Sequence, residues 1–175
     1  MQSKTIFLDR DGVINKEKNY LSSIDDFEFI SGVFDACIHF QSLGYTLIII
    51  TNQSGIGRGY YSDNDYQKIT TWMLKEFKKN HIKIMDIIYC PHSPNVECEC
   101  RKPKSGMFLF AKDKYDIDMK KSWSIGDKET DIVASQNSGI INTIIVRSGH
   151  PIDEINTRAK FIIDSIRDSN QIITE

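Results

Sequence analysis

Three absences narrow this chain before any motif is read. Its opening residues, MQSKTIFLDRDG, contain no apolar run long enough for a secretory signal or a membrane span, so no membrane partner and a cytoplasmic location are expected. It has no surplus of positive charge: 22 Lys and Arg stand against 24 Asp and Glu, a formal net charge of −2. Proteins that grip nucleic acid through its phosphates are usually basic, so no nucleic-acid partner is expected. Nor is there an internal repeat, a low-complexity tract or a long linker. With 40% hydrophobic and 26% charged residues, the chain has the balance of a folded protein rather than a disordered one. Residues 1–175 therefore read as one domain with a single sizeable core. No coiled coil or exposed apolar helix stands out, which points to a monomer.

What is present alternates. Apolar runs of strand length occur at Ile6–Leu8, Tyr45–Ile50, Met85–Tyr89, Ser122–Ile125, Asn142–Val146 and Lys160–Ile163. They are continuous rather than alternating, the pattern of strands buried on both faces in a parallel sheet. Between them lie amphipathic stretches at Val33–Ser42, Asp63–Lys79, Met107–Lys114 and Thr130–Asn137, with Ser62 placed to cap one and Gly44 to stop another. This order predicts a three-layer α/β fold around a parallel sheet.

In such a sheet, ligands bind beyond the carboxyl ends of the strands, so the residues just past each strand carry functional weight. Asp9-Arg10-Asp11-Gly12 comes after the first strand, Thr51-Asn52-Gln53-Ser54-Gly55 after the second, a cysteine cluster ending in Arg101-Lys102 after the third, and Gly126-Asp127-Lys128 after the fourth. Asp-x-Asp-Gly alone is as readily a turn as a site. Two aspartates at this spacing share a face, however, and supply a nucleophile and a general acid–base. Asp127 adds a third carboxylate, and such a cluster calls for a cation with oxygen preference such as magnesium. Asp131, one helical turn on, either joins the site or caps its helix. Thr51 and Asn52 offer a hydroxyl and an amide, while Gly55, Gly57 and Gly59 allow backbone approach to an anion. Lys102 is a point charge for phosphate and Arg101 a fork for a second anion. Together these parts describe phosphoryl transfer.

Three of the four cysteines fall in YCPHSPNVECECRKPKSGM. Disulfides are not expected in a reducing compartment, so Cys90, His92, Cys98 and Cys100 read as a closed four-ligand set for structural zinc. Its expected task is mechanical: to stiffen a long loop and aim Arg101 and Lys102. Cys37 reads as a core residue. His39, His81 and His150 read as surface or packing residues, and Trp72, Met73 and Trp123 as core.

With these residues assembled, the chain resembles the haloacid dehalogenase superfamily of phosphatases over nearly its whole length. The matching segments are FLDRDGVIN, IDDFEFISGV, ITNQSGIGRGYYS, CPHSP with CECRKPKSGM, and SIGDKETDI. The resemblance implies a Rossmann-like parallel sheet without a large cap domain, closed over its substrate by small loops that include a zinc-bound one. It implies that Asp9 attacks phosphorus to form an aspartyl-phosphate and that Asp11 protonates the leaving oxygen and then activates water. It further implies that Asp9, the main-chain carbonyl of Asp11 and Asp127 hold magnesium, and that Thr51 and Lys102 stabilise the phosphoryl group. Substrate contacts would come from Glu17, Lys18, Asn19, Tyr20, Asn52, Gln53, Ser54, Arg101 and Lys128, with Arg58 a further cation suited to a doubly phosphorylated sugar.

Within the superfamily, QSGIGRGYY, the GMF after Lys-Pro, and IVRSG resemble the heptose-bisphosphate phosphatases of bacterial lipopolysaccharide precursor synthesis. The short interval between His92 and Cys98 also resembles the histidinol-phosphate phosphatases. Two non-enzymatic readings stand beside these, a phosphate-receiver switch and a zinc-dependent binding module. The clasp and the Asp9/Asp11 pair count against the first, and the second has no use for Asp9, Asp11 or Asp127.

Overall fold

The structure, a computed structural model, describes residues 2–174. Six strands form one sheet: β1 (Thr5–Leu8), β2 (Thr46–Asn52), β3 (Ile84–Cys90), β4 (Trp123–Gly126), β5 (Asn142–Val146) and β6 (Phe161–Ile163). Their order is β3-β2-β1-β4-β5-β6, and every neighbouring pair is parallel. The helices are α1 (Val33–Ser42), α2 (Ser54–Gly57), α3 (Asp63–Lys79), α4 (Gly106–Tyr115) and α5 (Glu129–Asn137).

The strand sequences explain the layering. Ile6, Leu8, Leu47, Ile49, Ile125, Ile144 and Val146 point to one face, where Ala36, Cys37 and Phe40 of α1 and Ile69, Met73 and Phe77 of α3 cover them. The intervening residues Phe7, Ile48 and Ile50 point to the other face and meet Met107, Phe108 and Ala111 of α4 and Ala134 of α5. Apolar residues at every position of a strand thus serve two helical layers at once.

All strand limits fall within two residues of those expected, and the one-residue offsets at Tyr45 and Ser122 have local causes. The Tyr45 N–H bonds back to the Phe40 carbonyl, so Tyr45 belongs to the turn after Gly44 (φ +81°) rather than to β2. The Ser122 hydroxyl accepts from the Thr5 N–H and ends the preceding turn. Ser62 caps α3 as expected: its Oγ accepts from the Asp65 N–H, and the Asp65 carboxylate accepts from the Ser62 N–H. Cys37 and Met73 are core residues, whereas both tryptophans are only half-buried. Trp72 lies against Phe27 and Phe29, and Trp123 stacks on Phe161.

The chain runs outward from β1 to β3 on one side and from β4 to β6 on the other. The order therefore reverses between β1 and β4, which opens a crevice at their carboxyl ends. Asp9 and Asp127 are the first residues beyond these two strands.

Candidate active site and metal clasp

Parallel pairing of β1 with β4 brings Asp9 and Asp127 side by side, and the Asp9 N–H continues the ladder onto the Ile125 carbonyl at 3.0 Å. Lys102 arrives from the loop beyond β3. Its Nζ donates to Asp9 Oδ1 (2.9 Å) and the Ile50 carbonyl (2.9 Å), and pairs with Asp131 Oδ1 (2.5 Å). Only 4% of Lys102 is exposed. Burial disfavours its charge, but the Asp131 and Asp9 carboxylates outweigh burial and raise its pKa.

One lysine does not balance the acids around it. Burial pushes Asp9 well above the usual carboxylate range. Lys102 works against that shift, while the charges of Asp131, Asp127 and Asp11 add to it. Asp127 has one oxygen committed and one not. Oδ2 accepts from the His150 main-chain N–H (3.0 Å) and contacts its ring Nδ1 (2.6 Å), whereas Oδ1 is buried without a hydrogen-bond partner. A buried carboxylate oxygen left unpaired beside further acids is where a cation would be held. Oxygen donors from Asp9, Asp127 and Asp131 lie within 4.8 Å of one another, and this chemistry fits magnesium. Asp131 is the weakest candidate of the three. Its Oδ1 holds Lys102, and its Oδ2 accepts from the Asp127 and Lys128 N–H groups at the start of α5. It caps a helix and secures the lysine.

Asp11 is set differently. Arg10, the residue between the two aspartates, is 1% exposed and grips the Asp11 carboxylate with Nε (3.1 Å) and Nη2 (2.9 Å). Asn15 Nδ2 and Gln53 Nε2 also donate to it. Burial alone would raise the Asp11 pKa, but the charge of Arg10 and these hydrogen bonds hold it below the usual carboxylate range. Gln53 is fully engaged: it also donates to Thr51 Oγ1 (2.8 Å) and accepts from Tyr61 (2.6 Å). Gln53, expected to contact substrate, lies on the cavity wall and also ties Thr51 to Asp11.

These groups line a cavity of about 300 Å³. Of the residues expected at substrate, Glu17, Asn19, Tyr20, Asn52, Gln53, Ser54, Arg58, Arg101 and Lys128 all lie on its walls. Lys18 does not; it extends toward Glu28, 3.6 Å away. Asn52 turns its amide onto the chain, donating to the Lys102 carbonyl (3.2 Å) and accepting from its N–H (3.1 Å). The carboxyl end of β2 thereby fixes the lysine loop.

That loop leaves β3 through the clasp. Sulfur and nitrogen atoms of Cys90, His92, Cys98 and Cys100 all lie within 4.8 Å of one another. Cys90 Sγ is 3.0 Å from Cys100 Sγ, 3.8 Å from Cys98 Sγ and 3.5 Å from His92 Nδ1. Ligands about 2.3 Å from a tetrahedral metal sit about 3.8 Å apart, so a single ion of that kind fits the set. The clasp also rests on the glycine loop. The Gly57 N–H donates to the Pro91 carbonyl, and a Cβ on Gly57 would collide with the backbone of Pro91 and Ser93.

Sequence reasoning misses His150: expected to be a surface or packing residue, it touches Asp127 from the cavity wall. Nothing in VRSGHPI marks it, because the contact is made across the sheet from β5. His39 is a packing residue, its Nε2 2.7 Å from the Ile173 carbonyl, and His81 is exposed beyond α3. Arg10 is missed too, although an arginine between two aspartates at a buried strand end must find an anion.

Comparison with known proteins places this arrangement. A family model described as HAD-hydrolase-like matches residues 99–169. The chain is 53% identical to D-glycero-alpha-D-manno-heptose-1,7-bisphosphate 7-phosphatase of Campylobacter jejuni over 83% of this chain and 84% of that one. It is 44% identical to D-glycero-beta-D-manno-heptose-1,7-bisphosphate 7-phosphatase of Vibrio cholerae, over 96% and 95% respectively. Its fold superposes on that of D,D-heptose 1,7-bisphosphate phosphatase from B. bronchiseptica, solved with magnesium and phosphate, with a TM-score of 0.87 and 26% identity over 97% of both chains. The chain belongs to the HAD-hydrolase-like family, among the relatives named heptose-1,7-bisphosphate 7-phosphatases.

Proposed function

We propose that this protein removes the 7-phosphate of D-glycero-D-manno-heptose 1,7-bisphosphate through an aspartyl-phosphate on Asp9. The observation that carries this reading is the nest at the ends of β1 and β4, where Asp9, Asp127, Asp131 and Lys102 converge around the unpaired Asp127 Oδ1. The cavity above it is lined by Arg58, Arg101 and Lys128. A substrate with two phosphates suits such a wall, one phosphate at the acids and the other among the cations.

In the first half-reaction Asp9 attacks phosphorus and the sugar oxygen leaves with a proton from Asp11. Free Asp11 favours its ionised form because Arg10 grips it. The arriving phosphate dianion opposes that grip and raises the proton affinity of Asp11. In the second half-reaction Asp11 takes a proton from water, which attacks the acyl-phosphate and frees Asp9. Thr51 and Lys102 stabilise the charge on the transferring group. Asp9, the Asp11 carbonyl and Asp127 would hold magnesium, which supplies neutralising charge for the phosphoryl oxygens and the crowded acids. Zinc in the clasp would be structural, setting where Arg101 and Lys102 lie. A cytoplasmic, monomeric enzyme supplying heptose for lipopolysaccharide completes the proposal. No helix among the described residues is long and apolar enough to cross a membrane.

The test is phosphate release from both anomers of the heptose bisphosphate and from histidinol phosphate under identical conditions. A kcat/KM at least about a hundredfold higher for either bisphosphate anomer, roughly 2.7 kcal/mol, is the expected result. Preference for histidinol phosphate would keep the catalytic roles and overturn the substrate. That reading rests on the short His92-to-Cys98 interval alone.

A further inference from the structure

We propose that His150 is a positioning residue for Asp127, a role that rests on the reading of Asp127 as a metal ligand. The loop after β5 passes against Asp127 so closely that a Cβ on Gly149 would overlap its carboxylate. Gly12, after β1, packs against the same carboxylate beside Gly149, and the Ser148 hydroxyl donates to the Gly12 carbonyl (2.7 Å), joining the two loops. This approach delivers two donors to one oxygen. The His150 N–H is 3.0 Å and its ring Nδ1 2.6 Å from Asp127 Oδ2. An ionised carboxylate can only accept, so Nδ1 carries the proton that it shares with Asp127. With Oδ2 held twice, the carboxylate cannot rotate, and Oδ1 is the oxygen left for a cation.

The same ring lies 3.8 Å from Glu17, on the loop that forms another wall of the cavity. His150 therefore spans the acid nest and the loop after β1. Partners of this kind around a metal ligand typically change metal affinity by about 10- to 100-fold when removed.

The measurement is Mn2+ binding to the substrate-free, zinc-loaded protein, tracked by the loss of the free-ion electron paramagnetic resonance signal. His150→Ala is expected to weaken Mn2+ at least about tenfold, with kcat at saturating metal changed far less. His150→Leu, which keeps bulk without a donor, is expected to behave likewise and guards against collapse of the loop. His150→Asn, whose amide N–H reaches as Nδ1 does, is expected to restore most of the affinity. Asp127→Asn separates the two readings. If it abolishes Mn2+ binding while Ala and Leu at position 150 leave affinity within twofold, the role of His150 is overturned and the metal site stands. If Asp127→Asn itself leaves Mn2+ binding intact, the metal-site reading falls and this inference with it. A raised KM for substrate with unchanged metal affinity would make His150 a substrate contact and overturn the positioning role.

Discussion

Cys100 and Lys102 are two residues apart, yet they belong to ligand clusters held together by opposite means. The acids Asp9, Asp127 and Asp131 hang from ends of β1 and β4 and from the first turn of α5, elements fixed by the core. Their repulsion is relieved in part by a buried lysine and by helix N–H groups. The thiols of Cys98 and Cys100 stand on a loop whose residues from Ser93 to Cys100 lie in no helix or strand, and neither is fully buried. One cluster hangs on elements fixed by the core; the other stands on an irregular loop that a metal would tie together. The consequences of removing a charge, a ligand or a metal should differ accordingly.

The largest effect is expected at the nucleophile. Asp9→Asn should lower turnover by about 10⁴-fold or more while leaving the fold and the clasp intact, checked by steady-state phosphate release and circular dichroism. Unchanged turnover would remove Asp9 as the nucleophile, whereas the expected loss excludes the receiver and binding-module readings.

Lys102 tests how far the fold supports the acids by itself. Replacing it with Met leaves Asp9 and Asp131 buried without their cation, a change that costs about 3–5 kcal/mol for such pairs. Urea denaturation should show that loss. Millimolar magnesium should return part of it, because a divalent cation supplies the missing charge. A loss independent of magnesium would mean that the lysine matters only through packing.

The two clusters also differ in how plainly the sequence announces them. Cys-x-His-x5-Cys-x-Cys is local, so all four ligands are legible from spacing, and Asp9, Asp127 and Lys102 can be found from their places after apolar runs. What stays hidden depends on contacts between distant segments. The spacing of Asp131 allows either a cap or a metal contact, and only the approach of Lys102 decides how its oxygens are used. His150 reaches Asp127 from the loop after β5, 23 residues away. Gln53 is expected at substrate from the family resemblance, and nothing in its spacing shows that its amide also joins Tyr61, Thr51 and Asp11. The strand order that sets the crevice between β1 and β4 is also beyond a pattern of apolar runs, which gives alternation but not adjacency.

A smaller effect is expected from emptying the clasp. Chelation should make the segment from Ser93 to Cys100 sensitive to protease with little change in the melting of the sheet. Displacing Lys102 and Arg101 by about 1 Å would cost activity about a hundredfold. Protease resistance retained without metal would refute the mechanical account. Metal uptake should also depend on pH. Burial and the hydrogen bond shared with Cys100 push the Cys90 thiol up to about 12. Burial likewise raises Cys100. At Cys98, burial is outweighed by the Arg101 N–H and the neighbouring thiols, which bring it to about 7. Zinc binds thiolates, so above pH 7 two thiol protons must leave, and below it three. Each unit by which pH is lowered should then weaken zinc binding about a hundredfold above neutrality and about a thousandfold below it. Competition with a colorimetric chelator between pH 6 and 8 measures that slope.

The smallest effect lies at the mouth of the cavity, where neither cluster is involved. Asn19 and Tyr20 hold positive φ angles of 44° and 68°, conformations that cost a non-glycine residue about 1–3 kcal/mol each. Tyr20 is held there edge-on to Tyr60, with ring centres 4.7 Å apart, and the Arg58 guanidinium lies 6.0 Å from its ring centre. The pair joins the loop after β1 to the glycine loop across the mouth of the cavity. Such a ring contact contributes about 0.5–1.5 kcal/mol. Tyr60→Ala should therefore raise KM about two- to tenfold with kcat nearly unchanged, since Tyr60 touches none of the acids. Tyr20→Ala should do the same, and the double variant should be no worse than the poorer single one, because each change breaks one shared contact. If the two effects multiply instead, the rings act independently on substrate, and the mouth of the cavity is set by the backbone alone.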